Sequence, residues 1–411
     1  MSAPLFIRPP LRAQISFDAA NREIAPRDET FWAMVREQFP LARERIYLNT
    51  GGLGASPYPV IAAMQNKINE LERLCETGHS EDLWRGMKEK AGIILGCKPE
   101  EVAFTRNATE GCAIVCNGLP LRRGDEVITT THEHVGNTLT WLGLQQREGI
   151  VLKTFEPALH SASENVERIA RLLTPRTRAL SIPHITTSTG QILPVQAIGE
   201  LAAAHKLWYF VDGAQTAGMM PLNVHEIGCH AYATSGHKWL LGPKGTGLLF
   251  VRADALDLIA AKHIGGYSNT GEFDLTRGIM QLHPSAQRYE YGTVSAPLLA
   301  GLSAALEFVL QIGVQNIWRH NFALAAKLRE GLEPLGIAIN SPQAHSAMIT
   351  FTVPKRSREE VTRMLAEKFQ LRTRGIYEGG LNAVRVSFHV YNSFAEVERV
   401  LEGVAAMKRE E

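Results

Sequence analysis

Short apolar runs alternate with stretches of helical spacing through the middle of the chain. "EVAFT", "DEVITT", "VLKTFE", "RALSIPHI", "LWYFVD", "HAYATS" and "TGLLFV" read as strands, and "ENVERIARLLT" and "VQAIGELAAAHK" repeat their apolar residues every three or four positions. Such alternation predicts an α/β fold, a mostly parallel sheet with helices on both faces. The C-terminal part changes character. A long helix around "VQNIWRHNFALAAKLREGL", strands "AMITFTV" and "AVRVSFHV", and helices "SREEVTRMLAEKF" and "SFAEVERVLEGVAAM" predict a compact α+β unit beside the sheet. The chain accordingly divides into an N-terminal arm and short helix over residues 1–45, a large α/β domain over 46–300 and a small α+β domain over 301–411.

Composition narrows the partners. Forty-three basic residues against 42 acidic ones leave a formal charge of +1, which argues against nucleic acid or an anionic membrane surface and for a small substrate. The cysteines, at positions 75, 97, 112, 116 and 229, form an odd and scattered set that suits a reducing compartment, with the cytoplasm as the expected location. The apolar run near the N-terminus is short and interrupted by prolines, unlike the core of a secretory signal. No stretch of about 18 uninterrupted apolar residues marks a membrane span.

Open α/β sheets bind ligands at the carboxyl ends of their strands. There the chain places "RNATEG", "THEHVGN", "TTSTG", "DGAQ" and "SGHK". The Thr109 stretch opens a helix, whose free N–H groups and dipole favour a phosphate, and Ser235 and His237 can donate to the same anion. Asp212 calls for a cation such as a protonated ring nitrogen, and Lys238 can form a Schiff base with an aldehyde. Phosphate, ring nitrogen and aldehyde together describe pyridoxal 5′-phosphate (PLP). Other chemistries fit less well. No glycine fingerprint followed by an acid about 20 residues on supports a nicotinamide dehydrogenase. "HEH", from His132 to His134, lacks the helical spacing of a zinc site, and no metal is expected. Cys112 and Cys116, four apart on a helix, read as small buried hydrophobes, and "GPKGTG" as a turn.

"DGAQ" followed by "SGHK" resembles the class V aminotransferase and cysteine desulfurase family of fold-type I PLP enzymes, over a span from about Tyr47 to the C-terminus. The resemblance implies the fold-type I PLP-dependent transferase fold. Lys238 would carry the cofactor, Asp212 would keep its pyridine nitrogen protonated, and Gln215 would bond its phenolic oxygen. His134 would stack on the ring and shuttle protons, while Ala108, Thr109, Ser235 and His237 would hold the phosphate. Thr293 matches a residue that reaches the phosphate of a neighbouring subunit, which implies a homodimer with composite sites. Arg385 matches the arginine that clamps a substrate α-carboxylate, with Arg372 and Arg374 as alternatives, and Asn49 and Thr50 would neighbour the substrate. The glycine-rich run from Ile264 to Gln281 is expected to line or cover the site.

Departures from the family carry the functional reading. "LRTRGIYEGGLNAVRVSF" has no cysteine where desulfurases keep the thiol that accepts sulfur, and Thr187 stands where they carry an asparagine beside the cofactor oxygen. "HKWLLGPKGTGLLFV", "NTGGLGASP" and "RVSFHVYN" lean towards the isopenicillin N epimerase-like branch, although "EHVGN" differs from that epimerase's own pattern. The expected activity is Cα deprotonation of an amino acid, leading to epimerisation or to C–S or β-elimination. Transamination, and a desulfurase that does not use the usual loop cysteine, are the alternatives. A non-catalytic binding protein of this fold would be expected to lose Lys238 or Asp212, and both are present.

Overall fold

A computed structural model of the protein describes residues 17–75, 80–343 and 346–409. The first part of the expected N-terminal arm lies outside them, and a short helix, Glu29–Arg36, follows where one was expected.

The central sheet consists of β1 (Val102–Thr105), β2 (Glu126–Thr130), β3 (Val151–Phe155), β4 (Thr177–Pro183), β5 (Trp208–Asp212), β6 (Ala231–Ser235) and β7 (Gly247–Val251), in the spatial order β1-β7-β6-β5-β4-β2-β3. Only β7 runs antiparallel to its neighbours, so the sheet is mixed but mostly parallel, as the alternation predicted. Every residue of β6 and β7 is buried, which explains why these strands read as continuous apolar runs rather than alternating ones. The edges are managed differently. Exposed β3 carries Lys153, which pairs with the buried Glu126 at 2.8 Å. On β1 the Phe104 N–H donates to Glu290 Oε1 at 2.8 Å, and Lys88 neutralises that carboxylate at 2.9 Å.

The small domain is an antiparallel sheet of β8 (Ala338–Ile339), β9 (Met348–Thr352), β10 (Arg374–Ile376) and β11 (Ala383–Ser387), in the order β8-β9-β11-β10. Its core gathers Phe351, Val384 and Val386 from the sheet with Leu328, Leu365 and Val400 from the helices Val314–Leu332, Arg358–Phe369 and Phe394–Arg409. The helix Val314–Leu332 joins the two bodies, since Ile317 packs in the main core and Leu324 in the small one. So does the N-terminal chain. Ile46–Tyr47 runs parallel to Leu371–Arg372, Leu48 lies in the small-domain core, and Asn49 bridges to Ser387 before the chain enters the large domain. Among the described residues no single helix is long and apolar enough to cross a membrane.

Candidate active site

All five polar clusters fall at the carboxyl edge of the sheet, because β1, β2, β4, β5 and β6 point the same way. At the end of β5, Asp212 is buried, and its Oδ1 accepts the Ala214 N–H at 2.9 Å. Gly213 has no room for a side chain, since the Tyr232 ring of β6 occupies the place a Cβ would take. The aspartate is therefore held by the turn that follows it.

Lys238 follows β6 in a turn clasped from outside the sheet. Gly54 donates its N–H to the His237 carbonyl at 2.7 Å, and a Cβ on Gly54 would run into the Lys238 carbonyl. The Lys238 side chain is 8% exposed, and among the described residues its Nζ has no hydrogen-bond or ion-pair partner. Burial draws its pKa down to about 8, against the opposing pull of Asp212. Burial likewise raises Asp212, while the Ala214 N–H and Lys238 act to keep it ionised. A lysine amine close to neutrality beside a buried carboxylate is suited to attack a carbonyl group.

The helix Ala108–Gly118 opens at this edge with Asn107 as its cap, whose side chain accepts the Glu110 N–H at 2.9 Å. Ser235 Oγ faces the same helix end and accepts the Ala108 N–H at 3.4 Å, which leaves the hydroxyl proton available to an anion. His237 Nδ1 donates to the Thr246 carbonyl at 3.2 Å, so a neutral ring presents its bare Nε2, and that atom donates only when the ring is protonated. Ala108, Thr109 and Ser235 thus form an anion cradle around a helix N-terminus, which His237 can join as a donor only with its ring protonated.

His134 caps the helix Val135–Glu148, and its Nδ1 accepts the Gly136 N–H at 3.1 Å, which places the proton on Nε2. Burial first, then the charges of Lys238, Arg374 and Arg385, pull His134 down to about 4, so its ring is neutral at neutral pH. Glu133 anchors it. This carboxylate, unremarked in the sequence reading, is buried, accepts the His134 N–H at 2.7 Å and the Asn137 amide at 3.0 Å, and is pushed well up by burial and by the charge of Asp212. Its signal was the i, i+4 spacing to Asn137 across the helix start.

The small domain closes the site through Thr187. The Thr187 hydroxyl receives Gln215 Nε2 at 3.3 Å, Arg385 Nη1 at 3.0 Å and Arg374 Nη1 at 3.4 Å. Gln215 is oriented by Trp239, whose indole N–H reaches Oε1 at 2.8 Å, and its Nε2 also donates to the Gly51 carbonyl at 2.9 Å. Arg385 is fully buried on β11, donates to the Thr187 carbonyl at 2.7 Å and to Asn49 Oδ1 at 3.1 Å, and leaves its Nε without a partner. Burial lowers it to about 9, still protonated at neutral pH. Of the two upstream arginines, Arg374 reaches this cluster, whereas Arg372 is exposed and bonds the Thr373 carbonyl.

Two candidates stand apart. The Thr50 hydroxyl bonds Tyr391 in a fully buried pair, so only its backbone is left for the substrate side. Thr293 lines a separate cleft of about 260 Å³ with Arg106, Glu110 and Tyr291. The run expected to line or cover the site instead forms a hairpin, Asn269–Asp274 with Ile279–Leu282, and leaves Phe273 71% and Leu275 91% exposed. Neither of its strands hydrogen-bonds to the Lys238 cluster among the described residues.

Fold and site together define a PLP-dependent enzyme: the anion cradle, the buried acid and the unpaired lysine amine match the cofactor's three reactive features. The model of the Aminotransferase class-V family matches residues 46–400, and the chain belongs to that family. A probable cysteine desulfurase of Methanothermobacter thermautotrophicus is 28% identical over 91% of this chain and 98% of that protein. The isopenicillin N epimerase of Amycolatopsis lactamdurans is 29% identical over 92% of this chain and 99% of that protein. Among solved structures, the cysteine desulfurase of Thermococcus onnurineus NA1 superposes with a TM-score of 0.83 at 27% identity, over 92% of this chain and 98% of its own. The cystine C–S lyase C-DES, in complex with its reaction product cysteine persulfide, gives 0.82 at 26% identity, over 90% and 99%. A mutant of C-DES holds glycine covalently linked to its PLP cofactor.

Proposed function

We propose that the protein deprotonates the Cα of a small amino acid and either returns the proton to the opposite face or expels a β-substituent, as an epimerase-like or C–S lyase-like enzyme. The supporting observation is the unpaired Lys238 amine beside Asp212, in a site whose small-domain loop carries no thiol. PLP, when bound, supplies the electron sink that makes the Cα proton acidic.

The chain's own groups do the rest. Lys238 would hold the cofactor through its aldehyde, and its amine, drawn towards neutrality by burial, would serve as the base for the Cα proton. Asp212 would keep a ring nitrogen protonated, His134 would stack over the ring, and Gln215 would meet a phenolic oxygen by turning one Nε2 proton away from Gly51 or Thr187. Ser235, His237 and the Ala108–Thr109 helix end hold the phosphate. Arg385 fixes the substrate carboxylate, with Asn49 and Thr187 setting the guanidinium plane.

Relatives named as desulfurases favour sulfur chemistry as well. Sulfur capture on the protein requires a reactive thiol, and the thiol nearest the acid is unsuited. Cys112 lies 3.9 Å from Asp212, fully buried, with its pKa raised well above the ordinary value by burial and by that charge. Release of a sulfur-bearing product, as in the C-DES complex, fits the loop better than persulfide formation on the enzyme. Transamination is the remaining branch.

We also take the enzyme to be a cytoplasmic homodimer. The exposed Phe273, Leu275, Ile279 and Met280 of the hairpin, and Thr293 in its separate cleft, suit contact with a second copy, and the free thiols suit a reducing compartment.

The test is reconstitution with PLP and turnover of an amino-acid panel in deuterated water, read by mass spectrometry. Deuterium at Cα of an otherwise intact substrate supports epimerisation, and pyruvate or a released sulfur fragment supports the lyase. A keto acid with aminated cofactor, or persulfide on any cysteine, would sink the reading.

A further inference from the structure

The loop that follows β10 holds Glu378 against the site. Its carboxylate pairs with Arg374 Nη2 and accepts the Tyr377 N–H at 3.2 Å, and the two charged side chains are only 25% and 10% exposed. The loop conformation is fixed. Gly379 has φ 64°, and a Cβ there would lie 2.7 Å from the His132 ring, while the Tyr377 ring sits 5.5 Å under the Arg358 guanidinium. Asn382 Oδ1 accepts the Arg358 N–H at 2.8 Å beside Ser357, the cap of the helix Arg358–Phe369. Glu378 is therefore a placed acid.

Its effect is on charge. Arg374 and Arg385 both donate to the Thr187 hydroxyl, so two guanidinium groups flank one point of the site. Arg385 is held by neutral acceptors alone, whereas Arg374 carries a carboxylate. Both cations depress His134 and Glu378 opposes them, so these charges act on one space.

We propose that Glu378 is a specificity-determining residue: by neutralising Arg374 it leaves Arg385, which has no carboxylate partner, as the guanidinium that takes a substrate carboxylate, and it excludes amino acids whose side chain carries a second anionic group. A side-chain carboxylate or sulfinate entering beside Arg374 would have to displace Glu378 or lie against it, and like charges in a poorly solvated site repel strongly. This rests on the reading of Arg385 as the carboxylate clamp.

The experiment compares succinate with butyrate, probes that lack an amine and so bind without covalent chemistry. Affinities are measured by calorimetry on the PLP-loaded wild type, Glu378→Gln and Arg374→Met. Glu378→Gln is expected to raise the succinate-to-butyrate affinity ratio by about tenfold, and Arg374→Met, which bares the acid, to lower it. A ratio that stays within about twofold in either folded variant overturns the proposal, as does a wild type that prefers succinate. The proposed reaction fails separately, by absence of turnover in protein that still shows these ratios.

Discussion

The two walls of the site are built by different rules. On the large-domain side, Asp212 and Lys238 follow parallel strands in fixed register, and each is locked by a near neighbour: Asp212 by the Ala214 N–H, and the lysine turn by Gly54. On the small-domain side, Arg374, Glu378 and Arg385 arrive on strands and a loop of a separate sheet, and the two arginines converge on the Thr187 hydroxyl, with Arg385 also held by the Thr187 carbonyl and Asn49. The groups proposed to meet the cofactor thus sit on the stiff sheet edge, and those proposed to meet the substrate sit on the seam with the small domain.

The sharpest way to break this division is Lys238→Ala. Turnover is expected to fall by about 10³-fold or more, with loss of the visible band of lysine-bound cofactor, because one amine serves as both anchor and base. Retention of that band would remove the large-domain wall from the picture. Arg385→Ala should lower kcat/KM by about a hundredfold, mostly through KM, and leave the band in place. A loss confined to kcat would place Arg385 in the chemistry instead.

A third test reads the lysine directly. The neutral amine is the nucleophile and burial holds the Lys238 pKa at about 8, so the rate of PLP loading should rise by about tenfold between pH 7 and 9 and then level off. A midpoint near the ordinary lysine value of 10.5 would mean that the amine is not desolvated. The smallest effect is expected at the seam between the walls. Thr187→Val removes the acceptor shared by Gln215, Arg374 and Arg385, and should raise KM about fivefold, at a stability cost of about 1 kcal/mol on thermal melting.

Legibility in the sequence follows the same line. The strand ends, the placing of Asp212 and Lys238 there, and the helix that opens at Ala108 could be read because each is defined within a few residues by an apolar run and the polar group that ends it. The seam could not. Arg385 meets Asn49 across 336 positions, and Thr187 across 198, so only the folded chain shows that Thr187 is a hub rather than a simple stand-in for an asparagine. Glu133 was hidden for another reason, since an acid flanked by two histidines reads as solvated or metal-binding until its burial against Asp212 is seen. The Thr50 side chain went to Tyr391, a contact 341 positions away that no local pattern encodes.

The clasp around Lys238 also has a consequence in time. Its turn is completed by Gly54 near one end of the chain and by His389 near the other, whose Nε2 donates to the Trp239 carbonyl at 2.9 Å while Asn392 ties back to the Tyr47 carbonyl at 3.0 Å. During synthesis the lysine leaves the ribosome long before these last residues do. A nascent chain that has not yet reached His389 therefore lacks the hydrogen bond that holds the Trp239 carbonyl, so the Lys238 turn is completed only by a residue made 150 positions after that carbonyl.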